Sequence, residues 1–410
     1  MSRGRPGSPR ELRVAVLTPY YLPGFRGGGP IRSIAAMVAQ HGARIRFGIL
    51  TSDRDWGEDE PLPVPVDAWT PVGGAQVRYL SPRRRPLRLL LQLRRLRPDV
   101  LYLNGLFPAV WSILPNAAAA TGVFRARHVL IAPRGELGQG ALALKAGKKS
   151  LFLRVARGLG LYRRVSWHAS TPAEAREIEA VFPGARVLVH ANETLLPALA
   201  LRASAGTTRE GDPSRGIAPA TTGEVGPLRV VFASRVTPKK GLDVLLRALP
   251  LVDRPVVVDI YGQADPSDAA YLQECERLAD RAQAAGVGHR VTFRGAVPPE
   301  HLLAAFAAHD VLALPTANEN FGHVIPEALS AGCPVLLPDT TPWTAAIAQH
   351  AAGAIVDSRE PADWAAHLCR WAALDADARV TAREAAADAY DAWAARRSTR
   401  SVFDQLPASI

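Results

Sequence analysis

Only three cysteines, Cys275, Cys333 and Cys369, occur in 410 residues. Their odd number and lack of metal-ligand spacing argue against a disulfide framework or a thiolate metal centre, and point to a reducing compartment. The histidines, among them His128, His168, His190 and His323, show no H-E-x-x-H or related ligand spacing. No run of eighteen apolar residues occurs, and the leucine-rich stretch Leu89–Leu93 is short and bracketed by arginine. The opening residues are basic but carry no apolar segment ahead of the first predicted strand, so no secretory leader is expected. Aromatic residues are missing from the arginine-rich stretch 83 to 97, which counts against a stacking platform for nucleic acid. These absences lead to the expectation of a cytoplasmic protein that binds no nucleic acid.

Acidic residues are also scarce in the middle of the first half. Between Arg78 and Arg164 there are eighteen Lys and Arg against two acids, Asp99 and Glu136, in a chain of formal net charge +11. Such a field attracts phosphates and anionic lipid headgroups, although a solvated arginine-rich surface has the same composition. The stretch carrying Arg88, Arg94, Arg95 and Arg97 suits peripheral contact with an anionic membrane, at the inner face of the plasma membrane.

What is present is a repeating strand–helix rhythm. Short apolar runs at Arg13–Leu17, Ile45–Leu50, Val77–Leu80, Val100–Leu103 and Val129–Ala132 alternate with helical patterns over Ile31–His41, Leu87–Leu96 and Pro108–Ala120. From Ala203 to Pro227 the chain turns rich in Gly, Ser, Thr and Pro and loses periodicity, the mark of a linker or mobile loop. The rhythm restarts at Arg229–Ala233 and runs through Val256–Tyr261, Val291–Arg294, Val311–Pro315, Val335–Pro338 and Gly353–Val356. Continuous apolar strands alternating with helices predict α/β domains with parallel sheets. The expected division is a first domain over 11–202, a linker over 203–227 and a second domain over 228–385. A final helix over 386–410 is expected to return toward the N-terminal domain.

The most specific segment is Thr316-Ala-Asn-Glu-Asn-Phe-Gly-His-Val-Ile-Pro-Glu-Ala-Leu-Ser-Ala-Gly-Cys-Pro-Val-Leu. A strand ends at Pro315, a loop carries Glu319, and a helix carrying Glu327 begins near His323. Gly322 lets backbone N–H groups approach a ligand, a helix start favours phosphate, and two carboxylates suit hydroxyl-rich ligands. Upstream, Phe232-Ala-Ser-Arg-Val-Thr-Pro-Lys-Lys-Gly-Leu-Asp runs from a strand end into a helix. There Arg235 and Lys240, rather than Lys239, are placed to neutralise one diphosphate.

The first of these segments resembles the E-x7-E region of retaining family 4 glycosyltransferases, and the second resembles that family's Arg/Lys motif. The resemblance implies the GT-B fold, two Rossmann-like domains facing across a cleft, with 11–202 as the acceptor-side domain and 228–385 as the nucleotide-sugar-binding domain. It further implies a nucleotide-sugar-dependent, hexosyltransferase-type enzyme of polysaccharide or glycoconjugate biosynthesis. Its co-substrate would be a uridine or guanosine diphosphate sugar, and its acceptor a hydroxyl on a glycan, a lipid-linked molecule or a small natural product. Arg235 and Lys240 would stabilise the leaving diphosphate, Glu319 and the backbone of Asn320, Phe321 and Gly322 would meet the donor sugar, and Glu327 would bind the ribose. Val291-Thr-Phe-Arg-Gly-Ala-Val resembles the nucleobase turn, Arg294 to Val297. The glycines at 27–29 match the family's glycine-rich loop, with Gly28 and Gly29 near the donor phosphate, and lack the Lys and Ser/Thr of a P-loop.

Two departures from the family stand out. Ala132-Pro-Arg-Gly-Glu places Arg134 where many relatives have histidine, and Asn104-Gly105 replaces a His-Gly pair. Arg134 is suited to clamp a phosphate or an acidic acceptor, and Glu136 to serve as an acceptor-side carboxylate. Asp53 and Asp55 form a D-x-D, but with cationic partners for the diphosphate no metal or other cofactor is expected. The alternative reading is a catalytically inactive nucleotide-sugar-binding protein.

Overall fold

A computed structural model describes residues 11–138, 142, 146–196 and 226–407. Most of the expected linker, 203–225, lies outside the described residues. The chain forms two compact units: one runs to Leu195 and resumes at Ser398, and the other is Leu196–Arg397. Each is an α/β domain built on one sheet.

In the first unit the strands are β1 (Leu12–Leu17), β2 (Ile45–Ser52), β3 (Trp69–Val72), β4 (Ala75–Leu80), β5 (Val100–Asn104), β6 (His128–Ala132), β7 (Val165–Ala169) and β8 (Arg186–Val189). They lie in the order β3-β4-β2-β1-β5-β6-β7-β8, parallel except for the β3–β4 hairpin. That hairpin turns on Gly73 and Gly74, both at positive φ, as a two-residue turn between twisted strands requires. Alternate residues of β1 enter different cores. Val14 and Val16 pack with helix α1 (Gly29–His41), while Ala15 and Leu17 pack beneath the other helix layer. That layer comprises α2 (Arg85–Leu96), α3 (Leu114–Ala120), α4 (Ala146–Gly158) and α5 (Pro172–Val181).

The predicted helix over 108–120 opens as a wide π-turn at Ala109–Ile113 before α3, next to Pro115, which has no N–H for a regular helical bond. Strands β3, β7 and β8 and helices α4 and α5 were not among the sequence expectations. In β7, Ser166 and His168 interrupt the apolar run although the strand is buried along its length.

The second unit holds six parallel strands: β9 (Leu228–Ala233), β10 (Val256–Tyr261), β11 (Arg290–Gly295), β12 (Val311–Ala313), β13 (Val335–Pro338) and β14 (Gly353–Val356). Their order is β11-β10-β9-β12-β13-β14. Helices α6 (Leu242–Ala248), α7 (Ala269–Ala284), α8 (Pro299–Ala308), α9 (Val324–Ser330), α10 (Thr344–His350), α11 (Pro361–Ala372) and α12 (Ala376–Ala395) complete it. In each sheet, successive strands extend first to one side and then to the other, with the reversal between β1 and β5 and between β9 and β12. Ligands of open parallel sheets bind beyond the carboxyl ends of the strands at that reversal.

The expected returning helix over 386–410 is corrected by this architecture. Helix α12 ends at Ala395 and packs within the second unit, burying Ala386, Ala389 and Tyr390 in its core. The piece that belongs to the first unit is a short 3-10 turn, Val402–Gln405, capped by Ser401. Phe403 packs against Phe47 and Tyr102, at centroid separations of 6.0 and 5.7 Å, and Asp404 receives both terminal nitrogens of Arg44 at 2.7 Å.

Truncating Phe403 to alanine is expected to lower the stability of the first unit by about 3–5 kcal/mol, the cost of emptying a buried aromatic site. Urea unfolding followed by a probe in that unit measures it, and an unchanged midpoint contradicts the packing.

Candidate functional site

The reversal point of the second unit brings two loops together. After β9 the chain bends through Ser234 and the exposed Arg235 into a 3-10 turn, Pro238–Lys240. After β12 it continues through Pro315 and the fully buried Thr316 to Glu319. Backbone bonds knit these loops together. The Lys239 carbonyl accepts from the Ala317 amide at 2.8 Å and from the Thr316 hydroxyl at 3.3 Å. Arg359 bridges them from outside, donating to the Pro315 carbonyl at 3.1 Å and the Pro238 carbonyl at 3.2 Å. Gly241 makes the approach possible: at φ 72, a Cβ there would lie 2.2 Å from the Pro315 oxygen. As a result, the Lys240 ammonium forms an ion pair with the Glu319 carboxylate. Both side chains are largely withdrawn from solvent, with 14% and 10% exposed, so salt screens the pair less than a surface one.

The loop after Glu319 is held by aromatic packing. Phe321 is buried against His323, Trp343 and Trp393, and the Trp343 indole donates to the Phe321 carbonyl at 2.6 Å. Gly322 follows at φ 73. Asn320 is half-buried, and Glu327 is buried in the first turn of α9. That helix has seven residues, so its dipole is short. Sequence reasoning missed Trp343, Arg359 and Trp393, because none lies in a recognisable motif, and it gave Thr316 no role although that residue opens the acidic segment.

Arg294 and Val297 do not present free side chains. Arg294 donates to both oxygens of Asp259, at 3.1 and 3.4 Å, and Val297 packs against the core. Burial alone would raise the Asp259 carboxyl, but His309 and Arg294 beside it hold it below the usual range.

In the first unit the strand ends carry a polar network. Gly28 stands at φ 70 ahead of α1, and a Cβ there would meet nothing, while Gly29 opens the helix. Asp55 anchors this loop, its carboxylate accepting from the amides of Phe25 at 2.8 Å and Arg26 at 3.0 Å. Asp53 instead faces Arg85 at 3.4 Å. The two aspartates thus divide between different partners.

Arg134, at φ 56, donates to Asn104 at 2.8 Å, to the Tyr102 hydroxyl at 2.9 Å and to Asn192. Tyr102 in turn contacts His168 Nδ1 at 2.8 Å, and His168 Nε2 contacts the His190 carbonyl at 2.8 Å. A carbonyl only accepts, so Nε2 carries the proton and Nδ1 accepts from the tyrosine. Burial and the nearby guanidinium push the His168 imidazole down to about 4. Burial would raise Glu193, but His190 and His41, at 3.3 and 3.5 Å, hold it well below the usual carboxylate range.

Glu136, expected as an acceptor-side carboxylate, is turned inward and receives the amides of Leu106 at 2.5 Å and Phe107 at 3.1 Å. Burial raises its carboxyl above the ordinary value. Among the described residues no group of three or more His, Cys, Asp or Glu is arranged to hold a metal.

Residues 219–388 match the profile of the family described as Glycosyl transferases group 1. Among curated proteins, the D-inositol 3-phosphate glycosyltransferase of Corynebacterium jeikeium is 35% identical over 184 residues, 43% of each chain. The enzyme of the same name from Nocardia farcinica is 38% identical over 141 residues, 33% of this chain and 31% of the relative. The match thus spans well under half the length of these relatives. Among solved structures, Anabaena Alr3699/HepE in complex with UDP-glucose superposes with a TM-score of 0.66 at 17% identity, covering 96% of this chain and 98% of that one. Sucrose-phosphate synthase from Thermosynechococcus elongatus gives 0.67 at 16% identity, covering 94% and 96%. At such identities these structures establish likeness of fold, and that fold is GT-B.

Two measurements test the geometry. Replacing Gly241 with alanine is expected to destabilise the second unit by more than about 1 kcal/mol, since the new Cβ meets both backbone strain and a carbonyl; an unaltered thermal melt contradicts this. The stability of the first unit should also fall as pH drops from about 6.5 to about 4. In that window the unfolded chain binds a proton at His168 that the native state refuses. Stability is full above the unfolded value and flattens below the folded one. His168→Gln should remove that part of the slope in a series of urea titrations.

Proposed function

We propose, from the match of residues 219–388 to the glycosyl transferases group 1 family, that the chain is a retaining glycosyltransferase that moves a sugar from a nucleoside diphosphate sugar to a hydroxyl acceptor. The observation that carries this reading is the Lys240–Glu319 ion pair at the strand reversal. One loop supplies a cation and the other a carboxylate, within a few ångströms of each other. A diphosphate arriving here competes with Glu319 for Lys240 and releases the carboxylate toward the hydroxyls of the sugar. The ammonium then lies where negative charge grows on the leaving group, which is where electrostatic stabilisation accelerates transfer. Arg235, on the same strand-end loop, is assigned to the same diphosphate. Glu327, buried one turn into α9, is assigned to the ribose, and the backbone of 320–322 to the donor sugar.

Retention is part of the proposal. The acceptor hydroxyl attacks on the face from which the diphosphate departs, through an oxocarbenium-like state, and its proton passes to the leaving phosphate. Side-chain cations do the work that a divalent ion does in metal-dependent transferases, so turnover should survive a chelator. Uridine donors are the first to test, because Anabaena Alr3699/HepE was solved with UDP-glucose. The acceptor trials include an inositol phosphate, after the name of the relatives from Corynebacterium and Nocardia.

Incubation with a panel of nucleoside diphosphate sugars is expected to release free nucleoside diphosphate slowly even without acceptor. Binding of a donor without any release would favour an inactive binding protein. Lys240→Ala should lower turnover at least about a hundredfold, as for loss of a single oxyanion partner. Near-normal turnover in that variant rejects the assignment.

A further inference from the structure

We infer that helix α4 of the first unit is a docking ridge for an anionic lipid surface. The inner face of α4 is fully used. Leu153 and Ala156 are buried in the core, Phe152 packs beside them, and Lys149 lies over the Phe107 ring at 4.9 Å. The outer face is not polar, as the outer face of a surface helix normally is. Leu151, Val155 and Leu159 recur every fourth residue and are 57%, 51% and 78% exposed. Single exposed aliphatics are ordinary, but three in one row form a ridge.

Cations flank the ridge, and no ion pair to them is seen among the described residues. Lys148, Arg154, Arg157 and Arg163 are exposed, and no Asp or Glu occurs in the sequence from 137 to 173. Apolar side chains between long cationic ones, on a helix lying flat on its domain, fit the boundary between headgroups and acyl chains. Helix α2, in the same layer, exposes Leu87 and Leu91 one turn apart. Its cations are partly consumed, since Arg88 pairs with Asp67 and Arg85 with Asp53. The sequence points to α2 for membrane contact, whereas the structure shifts the principal contact to α4.

Other occupants fit less well. A second copy of the chain would set this cationic strip against an equally cationic surface in a molecule of formal charge +11. A protein partner would be expected to find aromatic anchors, and the ridge has none. The inference is independent of the catalytic reading, because its test follows partition and not turnover.

The test is flotation of the full-length protein with phosphatidylcholine vesicles, with and without phosphatidylglycerol, at low and high salt. Binding only to the anionic vesicles, weakened by salt, is expected. The triple change Leu151→Ser, Val155→Ser, Leu159→Ser should reduce partition about tenfold or more, with the thermal melt preserved. Neutralising Arg154 or Arg157 to Gln should reduce it about fivefold each. As a second measurement, Leu159→Cys carrying an environment-sensitive dye should shift to the blue on adding anionic vesicles. No binding at low salt, binding indifferent to the ridge, or a dye that senses no change overturns the inference. So does a ridge-dependent dimer in sedimentation that leaves vesicle binding untouched.

Discussion

A carbonyl shared between two loops is the constraint from which the site of the second unit follows. The Lys239 oxygen accepts from Ala317 and Thr316, so the turn after β9 cannot move without the loop after β12. Buried backbone groups must find partners, and each loop supplies what the other lacks. Arg359 reinforces the seam by binding one carbonyl on each side. Gly241 is the steric condition for it, because any side chain there would strike Pro315. With the loops joined in this way, Lys240 and Glu319 have little choice but to meet.

The first unit solves a comparable problem with side chains. Its strand ends are lined by Asn104, Arg134, Asn192 and Glu193. A guanidinium among them is tolerable because its donors find three acceptors and Tyr102 passes the chain of bonds on to His168. Satisfied networks of this kind hold their members in one arrangement. Arg134 stands in a network that includes Asn104 and places a guanidinium at the end of β6.

Periodicity reached the parallel strands on which both sites stand, because residues buried on both faces must be apolar in succession. It failed at β7, where Ser166 and His168 are buried and the imidazole is hydrogen-bonded at both nitrogens. It also failed at β3, an antiparallel edge strand of four residues that includes Pro71. The motif residues Lys240 and Glu319 were legible because their local context is distinctive. Glu136 was legible as a carboxylate, but its inward orientation was not, since that depends on amides thirty residues earlier in the chain.

The sequence by itself determined the α/β class, the two-part organisation and the presence of one basic and one acidic strand-end loop, all of which depend on short-range patterns. Tertiary structure alone decided which groups meet: Arg359 at the loop seam, Asp55 under the glycine-rich loop, Arg294 on Asp259, and the last turn with Phe403 in the first core. The physical reason is that hydrogen bonds and ion pairs of this kind join residues tens to hundreds of positions apart. Their partners are set by strand order, which no local pattern encodes.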